Sequence, residues 1–210
     1  QFNKLVGVED CLFLNVFSPA KDQNGMFVSV QNNNETVKSD NKSVVKKIIN
    51  KPGGKKNNNK PDKREEELLL PVAVFIHGGG FAVGDNYELG QYDALPVVGY
   101  HKMVAVIPTY RLGMLGFWHD ENGADHNVGL LDQRLALQWV HENIKSFGGD
   151  PSRVTLIGNS AGGTSVLWHL VSKPSWGYFH RAVSMSPAPL DFFMATKNES
   201  KKYFQWQAHK

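Results

Sequence analysis

The sequence predicts an α/β chain built on a mainly parallel sheet with helices on its faces. Three observations lead there. Short continuous apolar or β-branched runs at 72–76, 103–108 and 154–157 read as strands buried on both faces. The stretch 129–147 repeats its apolar residues at helical spacing, with Leu137, Val140, Ile144 and Phe147 three or four apart and Leu131, Leu135 and Trp139 four apart. Strands and helices also alternate along the chain, as parallel strands joined by crossover helices do.

Taken in order, Leu12 to Phe17 reads as an early strand, followed after a long interruption by 72–76 and then 103–108. The helix over 129–147 is stopped by Gly148-Gly149, and Asp150-Pro151 turns the chain toward the strand at 154–157. Ala161 to Ser172 is the next helix, closed before Pro174, and Arg181 to Ser184 is the strand after it. The interruption, residues 29–69, is Lys- and Asn-rich, with seven lysines and no acid between Lys42 and Lys60. So few large apolar residues cannot offset chain entropy, and disorder is expected there. Two readings of it stay open: a surface insertion, whose cost grows slowly with length, or translated non-coding sequence. A nucleic-acid-binding arm is disfavoured, because no aromatic residues interleave the lysines.

Composition bounds the class. The 210 residues are 41% hydrophobic and 11% aromatic, enough for the core of one domain or part of one. The formal charge of +3 is local to the lysine-rich stretch, and the remainder is close to balanced. No apolar run is long enough to span a bilayer, and no metal-spaced His cluster is present.

Two motifs carry chemistry. Val154-Thr-Leu-Ile runs into Gly158-Asn159-Ser160-Ala161-Gly162. This is the G-x-S-x-G pattern that lifts a serine hydroxyl clear of the sheet at a strand-to-helix turn in α/β-hydrolases. Upstream, Pro71-Val-Ala-Val-Phe-Ile runs into His77-Gly78-Gly79-Gly80-Phe81. Such a loop supplies backbone N–H groups that stabilise the oxyanion of a tetrahedral intermediate without reorganising. Either motif alone would be a Gly-rich turn; both in this order, each after its own strand, point to acyl transfer.

Glu9-Asp10-Cys11-Leu12-Phe13-Leu14-Asn15-Val16, Tyr110-Arg-Leu-Gly-Met-Leu-Gly-Phe117, Asn127-Val-Gly-Leu-Leu-Asp-Gln-Arg-Leu-Ala-Leu-Gln-Trp-Val140 and Phe147-Gly-Gly-Asp-Pro151 together resemble the type-B carboxylesterase and cholinesterase family. The resemblance covers roughly 1–28 and 70–190. It implies an α/β-hydrolase fold, incomplete at both ends, and a carboxylesterase acting on a small-molecule ester without metal or cofactor. It also implies Ser160 as nucleophile and Gly79, Gly80 and Ala161 as the oxyanion hole, with Phe81 lining the acyl or entrance side of the site. The family's disulfide at this Cys implies a partner upstream of Cys11 and an oxidising compartment; a buried free thiol is the alternative. Sequons at Asn34, Asn41 and Asn198 agree with a secreted glycoprotein. Substrate identity, oligomeric state and membrane anchoring are not legible.

Two departures stand out. Asn159 precedes the serine where the family usually has Glu, which weakens the case for a cationic choline substrate. Met185-Ser186-Pro187 replaces the usual Q-S-G, and a proline there removes an N–H. A nucleophilic serine also needs a base and an orienting acid, which in α/β-hydrolases follow it in the order acid, then His. His169, His180 and His209 are badly placed by sequence for the base, and Asp191 and Glu199 come too early for the acid. The expectation is therefore a piece of a longer protein, inactive alone, with both groups beyond Lys210. A non-catalytic, cholinesterase-like adhesion protein is the alternative, set against the retention of Ser160.

Overall fold

The computed structural model describes residues 11–21, 27–31, 69–87, 91–117 and 126–189, together with 196 and 199. The strands are β1 (Leu14–Lys21), β2 (Phe27–Gln31), β3 (Leu70–Ile76), β4 (Val104–Pro108), β5 (Gly149–Asn159) and β6 (Arg181–Met185). The helices are α1 (Leu95–His101), α2 (Gly113–Phe117), α3 (Val128–Asn143) and α4 (Ala161–Val171), and a 3₁₀ turn at Ile144–Phe147 extends α3. One six-stranded sheet has the order β2-β1-β4-β3-β5-β6. Strands β4, β3, β5 and β6 run parallel, and β1 is antiparallel to both β4 and β2. The mainly parallel, helix-flanked α/β architecture expected from the sequence is what forms.

The unbroken apolar runs follow from a sheet covered on both faces. Along β4, Val104 and Val106 enter one core and Ala105 and Ile107 the other; on β1, Val16 and Phe17 divide in the same way. The first core is closed by Leu137, Val140 and Ile144 from the α3 side and Val166 of α4. The second is closed by Val98 of α1. Pro71 within β3 lacks an N–H for the ladder, and the pairing with β5 slips between Leu70 and Val72.

Three elements were not anticipated: β2, α1 and α2. Each is short, five to seven residues, too brief for a periodicity signal. Gln31 ends β2, so residues 29–31 of the segment expected to be disordered pair with β1 instead. Residues 32–68 lie outside the described residues. The helix stop is as expected, with Gly148 at φ 79° donating its N–H to the Ile144 and Lys145 carbonyls. In α3 the buried residues are Gly129, Asp132, Gln133, Ala136, Leu137 and Val140, while Leu135 of the second apolar row is 55% exposed. Cys11 is an exposed free thiol, which rules out the buried alternative.

Candidate active site

Ser160 occupies the single residue between β5 and α4, exposed, at φ 55° and ψ −121°. That conformation is strained for a residue with a Cβ and persists only where neighbours over-determine it. The neighbours here are backbone. A Cβ on Gly158 would lie 2.2 Å from the Gly162 carbonyl oxygen, and one on Gly162 would lie 2.0 Å from the Ile76 carbonyl oxygen. The turn therefore forms only because glycines let α4 settle directly onto the ends of β5 and β3. The Ser160 N–H donates to the Met185 carbonyl at 2.9 Å, and its own carbonyl accepts the Thr164 N–H at 2.9 Å. The Thr164 hydroxyl accepts the Ala188 N–H at 3.1 Å. The segment carrying Pro187 is thus tied to the serine turn through Met185 and Ala188, the residues on either side of Ser186-Pro187. The departure from Q-S-G leaves this anchorage intact.

The His77–Gly80 loop abuts this turn. A Cβ on Gly78 would lie 2.9 Å from the Asn159 carbonyl oxygen and 3.1 Å from Ser160 Cβ. Gly79, at φ 103°, turns its carbonyl to accept the N–H groups of Ala82 and Val83, each at 3.1 Å. The N–H groups of Gly79, Gly80 and Ala161 make no hydrogen bond among the described residues. Gly79 and Gly80 are exposed and Ala161 is buried. The two motifs, about 80 residues apart in sequence, meet where β3 and β5 end side by side.

The segment after β4 braces the loop. The Tyr110 hydroxyl donates to the His77 carbonyl at 2.9 Å, and the two rings stack with centroids 4.5 Å apart. Burial, aided by Tyr92, holds the Tyr110 phenol far above its ordinary pKa, so it remains a donor at any working pH. The Gly113 N–H donates to the Phe81 carbonyl at 2.6 Å, and Phe117 meets the Phe81 ring edge-on at 4.9 Å. Arg111 is in turn held by a fork to Asp132 of α3, at 2.8 Å and 2.7 Å. Tyr110→Phe keeps the ring but removes the hydroxyl's bond to the buried His77 carbonyl. It is expected to cost about 1–3 kcal/mol of stability by thermal unfolding. An unchanged Tm would dismiss the brace.

Among the described residues nothing hydrogen-bonds to Ser160 Oγ. His169 is buried in α4, 3% exposed, with Nδ1 2.8 Å from Ser175 Oγ and Nε2 3.0 Å from Gln133 Oε1. Both ring nitrogens are committed away from Ser160, in agreement with the sequence argument against it as the base. His180 is exposed, and His209 and Asp191 lie outside the described residues. His77 is fully buried and structural, its Nδ1 2.9 Å from the Gly78 carbonyl. Among the described residues no group of three His, Cys, Asp or Glu could hold a metal, and no helix is long and apolar enough to cross a membrane.

Burial first, and the positive charge of Arg134 second, push the His169 pKa down to about 4 from 6.5. The unfolded chain would take up that proton near its ordinary pKa and the folded chain only near 4. Stability is therefore complete above about pH 6.5, falls as pH drops toward 4, and levels off below, losing on the order of 3 kcal/mol. Denaturant unfolding from pH 4 to 8 should show this slope in the wild type and not in His169→Gln. Equal slopes would mean that His169 is not held neutral.

Sequence reasoning passed over Gln133, Asp132, Thr164 and Ser165. One signal was available: Gln133 sits four residues before Leu137 on the buried face of α3, where a polar side chain is out of place unless partnered.

The chain matches the Carboxylesterase family over residues 1–210. It is similar to an acetylcholinesterase of Gallus gallus, 49% identical over 121 residues, covering 57% of this chain and 16% of that protein. It is similar to a cocaine esterase of Oryctolagus cuniculus, 38% identical over 179 residues, covering 85% and 25% respectively. It is also similar to a juvenile hormone esterase of Tribolium castaneum, 45% identical over 131 residues, covering 62% and 22%. The matched stretches thus span 16% to 25% of the lengths of these relatives.

Proposed function

The chain belongs to the carboxylesterase family, with the α/β-hydrolase fold, and on that premise we propose that it carries the nucleophile and oxyanion site of a serine carboxylic ester hydrolase. Ser160 Oγ gives its proton to the general base as it attacks the carbonyl carbon of a small-molecule ester. The developing oxyanion is met by the N–H groups of Gly79, Gly80 and Ala161, and the alcohol departs with a proton from the general base. Water then attacks the acyl-enzyme carbonyl, giving up its proton to the same base, and Ser160 leaves with the carboxylic acid released. On this reading the histidine base and its carboxylate come from residues other than those described.

The observation that carries the proposal is the serine itself: strained, exposed at a strand-to-helix turn, and so near Gly78 that a Cβ there would lie 3.1 Å from the serine Cβ. Retention of the serine with the glycines that make room for it favours an enzyme over an adhesion protein. The names of relatives that act on esters agree. A secreted or ER-lumenal location is proposed from the sequons at Asn34, Asn41 and Asn198, which lie outside the described residues.

The test is to treat the native source with a fluorophosphonate serine probe, size the labelled protein and identify its modified peptide. Labelling at Ser160 supports the esterase. A folded full-length protein that carries this peptide and resists the probe would turn the reading toward a non-catalytic interaction protein.

A further inference from the structure

Behind the serine turn, on the α3 side of α4, lies a chain of buried polar groups that the acyl-transfer steps do not use. Ser165 Oγ is 3.0 Å from the Ala161 carbonyl, and Gln133 Nε2 is 3.1 Å from Ser165 Oγ. His169 Nε2 is 3.0 Å from Gln133 Oε1, and His169 Nδ1 is 2.8 Å from Ser175 Oγ. Ser165, Gln133, His169 and Ser175 are each at most 3% exposed.

Donors and acceptors fit in one direction. A carbonyl can only accept, so the Ser165 hydroxyl donates to Ala161. Ser165 then accepts from the Gln133 amide N–H, which turns the Gln133 oxygen toward His169. That oxygen needs an N–H on His169 Nε2, leaving a lone pair on Nδ1 for the Ser175 hydroxyl. Neutral imidazole with its proton on Nε2 satisfies every group, and no member is spare. Buried polar chains of this kind define a single geometry when satisfied and are costly when broken.

The chain ends on Ala161, the residue whose N–H faces the oxyanion in the reading above. We infer that His169, Gln133 and Ser165 are positioning residues for the first turn of α4, joining α3, α4 and the Ser175 turn so that Ser160 and the Ala161 N–H keep their aim. The inference rests on the esterase reading. Only rotation and translation of α4 against α3 are controlled; none of the three side chains touches substrate. Because a misaimed oxyanion donor weakens the transition state more than the ground state, the loss falls on kcat rather than KM.

The test uses the full-length protein, with Ser165→Ala, His169→Leu and His169→Gln, assayed on a p-nitrophenyl ester well below each variant's Tm. Ser165→Ala removes the bond to Ala161 without burdening the helix, since alanine is the better helix former. It is expected to lower kcat about tenfold with KM within about twofold. The rate of fluorophosphonate labelling should fall in parallel. His169→Gln, which can place an N–H donor where Nε2 stands, is expected to recover most of the activity that His169→Leu loses. A wild type that is not labelled at all sinks the esterase reading instead. A labelled wild type with Ser165→Ala turning over at its full kcat, or a loss that only tracks the folded fraction, overturns the positioning role. Should His169→Leu fail to fold, the Ser165→Ala and His169→Gln pair still decides.

Discussion

Ser160→Ala in the full-length protein is expected to lower ester turnover by at least about 10⁴-fold and to abolish fluorophosphonate labelling. The magnitude follows from removing the attacking atom while the N–H donors of Gly79, Gly80 and Ala161 stay in place to sustain a residual rate. The same position makes a separate statement about strain. Alanine keeps a Cβ at φ 55° and ψ −121°, so Ser160→Ala retains the cost of that conformation. Ser160→Gly relieves it, offset in part by the greater entropy a glycine gives the unfolded chain, so Ser160→Gly is expected to be more stable than Ser160→Ala by about 1 kcal/mol. Thermal unfolding of the pair reads the difference. Turnover surviving in Ser160→Ala would remove the nucleophile assignment, and equal stability of the two variants would remove the strain.

Gly162→Ala is the second large effect, and it acts through packing. The added methyl would sit 2.0 Å from the Ile76 carbonyl oxygen and 2.8 Å from that of His77, both backbone atoms that cannot swing aside. Relief requires α4 to lift from β3, which carries Ser160 away from the Gly78 loop. The expected cost is about 3 kcal/mol or more, the upper range for overpacking, together with loss of probe labelling. Gly99 in α1 supplies the contrast, since it is exposed and a methyl there meets nothing within 4 Å. Gly99→Ala is therefore expected to stabilise by about 0.5–1 kcal/mol through helix propensity. If both substitutions shifted Tm equally, the close approach of α4 to β3 would be wrong.

The expectations that held rest on signals that are local in the chain. Val104–Pro108 is legible as a strand because a strand covered on both faces is apolar throughout. The end of α3 is legible because Gly148 adopts the left-handed conformation that other residues avoid. The serine turn is legible because Gly158 answers to the Gly162 backbone within one strand-turn-helix unit, although Gly162 itself answers to the distant Ile76 and His77 carbonyls. What the sequence hid depends on pairing with another segment. Phe27–Gln31 is short and borders a long polar run that masks its β-forming Phe and Val residues, and it becomes a strand by pairing with β1. Gln133 looks like a surface residue until Ser165 and His169, more than 30 residues away, satisfy it on both sides.

The sequence by itself determined the α/β class and the family, and it singled out the serine and glycines proposed for acyl chemistry, because each depends on residue type at short spacing. Only the tertiary structure decided that Gly78 packs against Ser160, that Tyr110 holds the His77 carbonyl, and that His169 is a neutral buried link instead of a base. The first two contacts arise where β3, β4 and β5 end side by side and the third between α4, α3 and the turn after α4, and a linear chain does not record which of its buried polar atoms will face one another.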